Sequence, residues 1–101
     1  MLLYEKKRDA LIVRLTGELD HRAAESIRDE LDGLIAGTNP RRLVFDLSGL
    51  QFMDSSGVGL IIGRYKRMKR RGGSVAVSRC DARIDKVLRM SGLYQIVDRL
   101  A

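Results

Sequence analysis

Apolar positions along the chain change period several times, and each change predicts a different element. Leu2, Leu3 and Tyr4 form a short apolar stretch broken by Glu5 to Asp9, and Leu11, Ile12, Val13 and Leu15 form a β-rich run ending at Thr16-Gly17. Two adjacent strands are expected, joined as a hairpin through Arg8, Asp9 and Ala10. From Asp20 onward the pattern becomes helical: Ala24, Ile27, Leu31, Leu34 and Ile35 recur at helical spacing with charges between them. Asp20 suits the N-cap because its carboxylate can accept the free amides of the first turn, and Gly37 followed by Pro40 supplies the stop. Arg41 to Ser48, RRLVFDLS, is a continuous apolar run interrupted only by Asp46, which suits a strand covered on both faces. After an expected loop from Ser48 to Asp54, a second helical stripe of Val58, Ile61, Ile62, Tyr65 and Met68 runs to Gly72-Gly73. Ser74 to Ser78, SVAVS, reads as a short strand, and Ile84, Val87, Leu88 and Met90 predict a third helix ending at Ser91-Gly92. Leu93 to Val97 is apolar but too short to classify.

The order β-β-α-β-α-β-α calls for parallel crossovers and an α/β domain with helices packed on a sheet. A chain of 101 residues is the size of one such domain, and residues 1–101 are read as a single unit with no linker or repeat. Hydrophobic content of 45% and charged content of 32% fit a globular rather than a disordered chain. No apolar run approaches the ~18 residues of a membrane span, and MLLYEKKRD turns charged too early for a signal peptide, so a cytoplasmic protein without a membrane partner is expected. Cys80 is the only cysteine, which excludes an internal disulfide. The net charge of +6 is uneven, because six basic residues fall between Arg64 and Arg71.

The chemistry gathers in FMDSSGVGL, where Asp54, Ser55 and Ser56 precede a glycine-spaced helix. Three readings are open. Asp or Ser at a helix start is an ordinary N-cap worth about 1 kcal/mol. A nucleophilic serine would need a base, yet no glycine lies two residues before either serine and His21 is the single histidine. A phosphoacceptor serine would add a charge of about −2 at the positive end of a helix dipole, where amide donors tolerate it, and would repel a partner seated there. Gly57, Gly59 and Gly63 are poor helix formers and suggest close approach of a backbone. Leu60 falls off the apolar stripe and is expected to be exposed, one turn from Ser56. The basic run could hold nucleic acid, but it has one aromatic residue, Tyr65, and cations at a helix C-terminus have a structural explanation; nucleic acid is not an expected partner.

RLTGELDHRAAESI, residues 14–27, FMDSSGVGLIIGRYKRMK, residues 52–69, and RMSGLYQI, residues 89–96, together resemble the STAS-domain anti-sigma factor antagonists over nearly the whole chain. The resemblance implies a mixed sheet with helices packed on it and a binding protein rather than an enzyme. It further implies that the unphosphorylated form binds an anti-sigma factor with serine kinase activity, so releasing the sigma factor. The kinase then phosphorylates the serine after the motif aspartate, here Ser55, and a serine phosphatase resets it. Asp20 and His21, with Asp54, Ser56, Gly57, Gly59 and Leu60, match the family's partner-binding surface. ATP belongs to the partner, so no cofactor and no metal are implied. Relatives of this kind usually continue with a further helix beyond the position of Ala101, and the basic run is unusual among sporulation-type members.

Overall fold

The computed structural model describes residues 1–100 and contains the expected hairpin, three α-helices and central sheet. Strand β1 (Leu2–Lys7) pairs antiparallel with β2 (Ala10–Leu19) across a turn in which Arg8 takes the left-handed conformation at φ 50°. Helix α1 (His21–Thr38) leads to β3 (Arg42–Met53), α2 (Ser55–Arg70) to β4 (Ser74–Ser78), and α3 (Ala82–Met90) to a one-turn 3₁₀ helix (Leu93–Gln95) and a two-residue strand β5 (Asp98–Arg99). The sheet order is β1-β2-β3-β4-β5, parallel from β2 onward, hence mixed overall.

The core follows from strand alternation. Leu11, Val13 and Leu15 of β2, Leu43, Phe45 and Leu47 of β3, and Val75 and Val77 of β4 are buried at every second position. They share one hydrophobic cluster with Ile27, Leu31 and Ile35 of α1 and Ile61 and Met68 of α2. α1 packs on β2, α2 packs on β3 and β4, and the two helices pack side by side; α3 lies against β3.

Two boundaries differ from the sequence pattern. Residues 48–53 are not a loop, because β3 continues to Met53 and pairs with the second half of β2 up to Leu19. The pairing shifts register between Arg14 and Thr16 and again between Gly17 and Glu18, which destroys the alternation a strand normally displays. Gly49 belongs to that irregular zone: a Cβ there would stand 2.7 Å from Thr16 Cγ2, so only glycine lets the strands meet. α1 runs through Gly37 and stops at Asn39, which is left-handed at φ 48° and donates its N–H to the Ile35 carbonyl at 2.9 Å. The unclassified tail resolves into the 3₁₀ turn and β5, held by the Asp85 carboxylate of α3, which accepts from the Tyr94 hydroxyl at 2.7 Å and Arg99 Nε at 2.9 Å.

Candidate functional site

Leu19 and Met53 are paired across β2 and β3, so the residues after them, Asp20 and Asp54, begin two neighbouring helices at the carboxyl end of the sheet. Open α/β sheets offer their binding sites at this end, where helix N-termini collect. Both aspartates cap as expected: Asp20 Oδ1 accepts the Ala23 N–H at 2.9 Å and Asp54 Oδ1 accepts the Ser56 N–H at 2.8 Å. A third, Asp81, does the same for α3, accepting from Ile84 N–H at 2.9 Å; this bond holds its carboxyl below the usual range.

Ser55 is the first residue of α2 and is exposed, whereas Ser56 is half-buried. Three first-turn amides are already engaged: besides Ser56 on the Asp54 side chain, Gly57 donates to the Asp54 carbonyl at 3.0 Å and Val58 to the same carbonyl at 3.4 Å. A phosphoryl group on Ser55 would therefore keep the favourable dipole but find these three donors taken by Asp54. It would stand out from the surface beside that carboxylate.

The remaining candidate residues divide into those that face out and those that face in. Asp20 and His21 are exposed, and His21 Nε2 lies 3.4 Å from Glu25 Oε1, an ion pair only when the imidazole is protonated. The imidazole thus faces a carboxylate and not a serine hydroxyl, which gives the nucleophile reading no geometry. Gly57 is buried, and its hydrogen takes the place of a Cβ that would stand 2.6 Å from Met53 Cγ and 2.9 Å from Leu19 Cδ2. The need for glycine there comes from the strand ends beneath it. Gly59 is exposed with nothing within 4 Å of its missing Cβ, so it leaves the outer surface open.

Leu60 is not exposed; its relative accessibility is 6%. α2 buries a second side against α1 besides its stripe on the sheet, and Leu60 lies on that side. Arg64, one turn on, follows it inward and is buried at 8%, with Nε 3.1 Å from Asp32 Oδ1 of α1. This contact is an ion pair whose direction misses hydrogen-bond geometry, and burial lowers the Arg64 pKa against the opposing pull of Asp32. The run Arg64 to Arg71 is therefore not one exposed patch: its first member is interior, and Arg67 also leans on Asp32 at 3.6 Å. Sequence reasoning missed Arg64 as a groove residue, although its spacing from Leu60 was a usable sign.

His21, Ala24, Glu25, Ser56, Leu60 and Arg64 line much of a groove of about 230 Å³ between the two helices. Among the described residues no group of three or more His, Cys, Asp or Glu is placed to hold a metal, and no helix is long and apolar enough to cross a membrane.

The site as built is a pair of capped helix starts with an exposed serine on one of them. The chain belongs to the STAS domain family, whose model matches residues 2–101. It is 44% identical over 93 residues to the anti-sigma F factor antagonist of Paenibacillus polymyxa, covering 92% of this chain and 80% of that one. Its fold matches the anti-sigma factor antagonist SpoIIAA in its unphosphorylated form with a TM-score of 0.85 and 31% identity, over 100% of this chain and 89% of the other. Against the phosphorylated form of the Bacillus cell fate determinant SpoIIAA the TM-score is 0.76 at 31% identity, over 100% and 92% of the two chains.

Proposed function

We propose that this chain is an anti-sigma factor antagonist of the sporulation type, acting as a phosphorylation-switched binding protein with no catalytic activity of its own. The unphosphorylated form docks on an anti-sigma factor with serine kinase activity and frees the sigma factor. Transfer of the γ-phosphoryl group of the partner's ATP to the Ser55 hydroxyl ends the association, and hydrolysis by a serine phosphatase restores it. The observation that carries the reading is the position of Ser55, exposed as the first residue of α2 directly after its capping Asp54. The Paenibacillus polymyxa relative and the two states of SpoIIAA support it.

The geometry suggests why the mark evicts a partner. With three first-turn amides held by Asp54, the added charge is not absorbed by them; together with Asp54 and Asp20 it forms a concentrated negative surface where a docking face had been. Like charges brought together at an interface cost several kcal/mol. Asp20, His21, Asp54, Ser56 and Gly59 form the docking surface in this proposal, with Gly57 and Leu60 supporting it from beneath.

The test begins with the complex isolated from the organism's own extract. Addition of ATP should yield one phosphate on Ser55, located by mass spectrometry, and dissociation of the complex. Modification elsewhere, or a complex that survives phosphorylation of Ser55, rejects the mechanism.

A further inference from the structure

Six exposed cations of this chain gather at the end of the molecule opposite Ser55. Lys66, Lys69, Arg70 and Arg71 are exposed in and just after the last turns of α2. The amino ends of the strands add Arg8, in the β1–β2 turn, and Arg41, immediately before β3, both exposed. Backbone contacts join these segments: the Arg41 N–H donates to the Asp9 carbonyl at 2.7 Å, and the Ser74 N–H donates to the Arg41 carbonyl at 2.9 Å. The Arg71 guanidinium donates to the Asn39 side chain. Among the described residues no carboxylate lies within 4.0 Å of any of these six cations. Two carboxylates lie at the same end: Asp98 is paired with Arg42 at 3.2 Å, and exposed Asp9, next to Arg8 in the turn, offsets one of the six cations at longer range.

Helix dipoles account for only part of this surplus. α1 and α2 both end here, and each C-terminus carries roughly half a negative charge, so together they offset about one cation of the six. The pattern on α2 alone had a structural explanation; the fold changes the arithmetic by withdrawing Arg64 and Arg67 to Asp32 and bringing in Arg8 and Arg41 from two other elements.

We propose that this basic end binds the phosphate backbone of double-stranded nucleic acid without reading its sequence. Four of the six cations are arginine, whose planar guanidinium meets phosphate oxygens in pairs. The large exposed apolar side chains, Met1, Leu3, Tyr4, Phe52, Met90, Ile96 and Leu100, all lie outside these segments, which leaves no wedge to enter a bilayer and no platform for unstacked bases. Tyr65 is half-buried with Lys69 Nζ 5.8 Å from its ring centre. The proposal is independent of the regulatory reading, and the Ser55 end stays free while the basic end is engaged.

Fluorescence anisotropy of a short labelled duplex of mixed sequence, titrated with the unmodified chain alone, tests it. Engagement of about six phosphates should weaken binding about a thousand-fold between about 50 and 200 mM salt. The double substitution Lys66→Ala/Arg70→Ala should lower the salt slope by about two, while Lys86→Ala, an exposed cation on α3, should leave it unchanged. A flat salt response, an equal loss from Lys86→Ala, or capture by phosphatidylglycerol vesicles without duplex binding would each overturn the proposal.

Discussion

The two ends of the sheet are built from the same helices and carry opposite chemistry. At the carboxyl end, α1, α2 and α3 each begin on an aspartate whose side chain accepts a first-turn amide. At the amino end, α2 finishes on Arg67, Lys69 and Arg70, and α1, with no base in its own last turn, ends at Asn39 beside Arg71. Parallel strands with crossover helices force this division, since every helix must start where a strand ends. Capping favours an aspartate at each helix start, and the dipole of α2 favours the bases in its last turn. Each capping acid accepts one backbone amide, whereas the bases exceed what the dipoles need. The contrast teaches that a charged cluster is informative in proportion to what local structure leaves unexplained: at one end the serine beside the caps, at the other the cations themselves.

The largest expected effect separates the ends by charge. Ser55→Glu should weaken docking on the anti-sigma factor by about a hundred-fold, or about 2.7 kcal/mol, while Arg70→Glu should leave it within a small factor. Isothermal titration of both variants checks this; equal losses would mean that the partner reads overall charge and not one end. Next comes packing beneath the site. Gly57→Ala should destabilise the fold by about 2 kcal/mol because the new methyl meets Met53 and Leu19, both buried, whereas Gly59→Ala should stabilise α2 by up to ~1 kcal/mol. Urea denaturation gives both numbers, and a stable Gly57→Ala protein would show that the strand ends yield more readily than their burial implies.

A smaller effect tests the competition for amides. Asp54→Ala should cost about 1 kcal/mol in the unmodified chain and less in the chain phosphorylated on Ser55, where the phosphoryl group can take the vacated Ser56 amide. Equal costs in the two forms would place the phosphate away from the helix start. The last test concerns the third helix. Hydrogen bonds from Tyr94 and then Arg99 hold the Asp85 carboxyl below the ordinary carboxylate range. A depressed folded-state pKa gives stability that is complete above the unfolded value of about 4 and is lost as pH falls through the folded value. The melting temperature should therefore fall with acid more steeply in the natural chain than in Asp85→Asn, read by circular dichroism; parallel curves would remove Asp85 from the acid response.

Much of this architecture was legible in the sequence because its signals were local. Asp20, Asp54 and the helical stripes that follow them marked the starts of α1 and α2, whereas the part assigned to Ser55 came from the family resemblance alone. What escaped was set by partners distant in sequence. The second half of β3 was hidden because its pairing with β2 shifts register twice and requires Gly49 in the middle of a strand. Leu60 and Arg64 looked solvent-facing because a one-stripe helix was assumed, while α1 gives α2 a second buried side and Asp32 supplies the counter-charge. The basic end was only half visible, since Arg8 and Arg41 join α2 through the topology alone. β5, two residues long, depends on pairing with Ala76 and Val77 for its existence.

The Asp54 cap also bears on how long a signal lasts. Because Asp54 already holds three amides at the start of α2, one through its carboxylate and two through its carbonyl, a phosphoryl group on Ser55 would find few donors left on the protein's own surface. In the proposed cycle, a mark that its carrier does not grip would stay within reach of an eraser. The lifetime of the silent form would then follow the supply of the hydrolysing enzyme, and cells could tune the duration of the response without altering this chain at all.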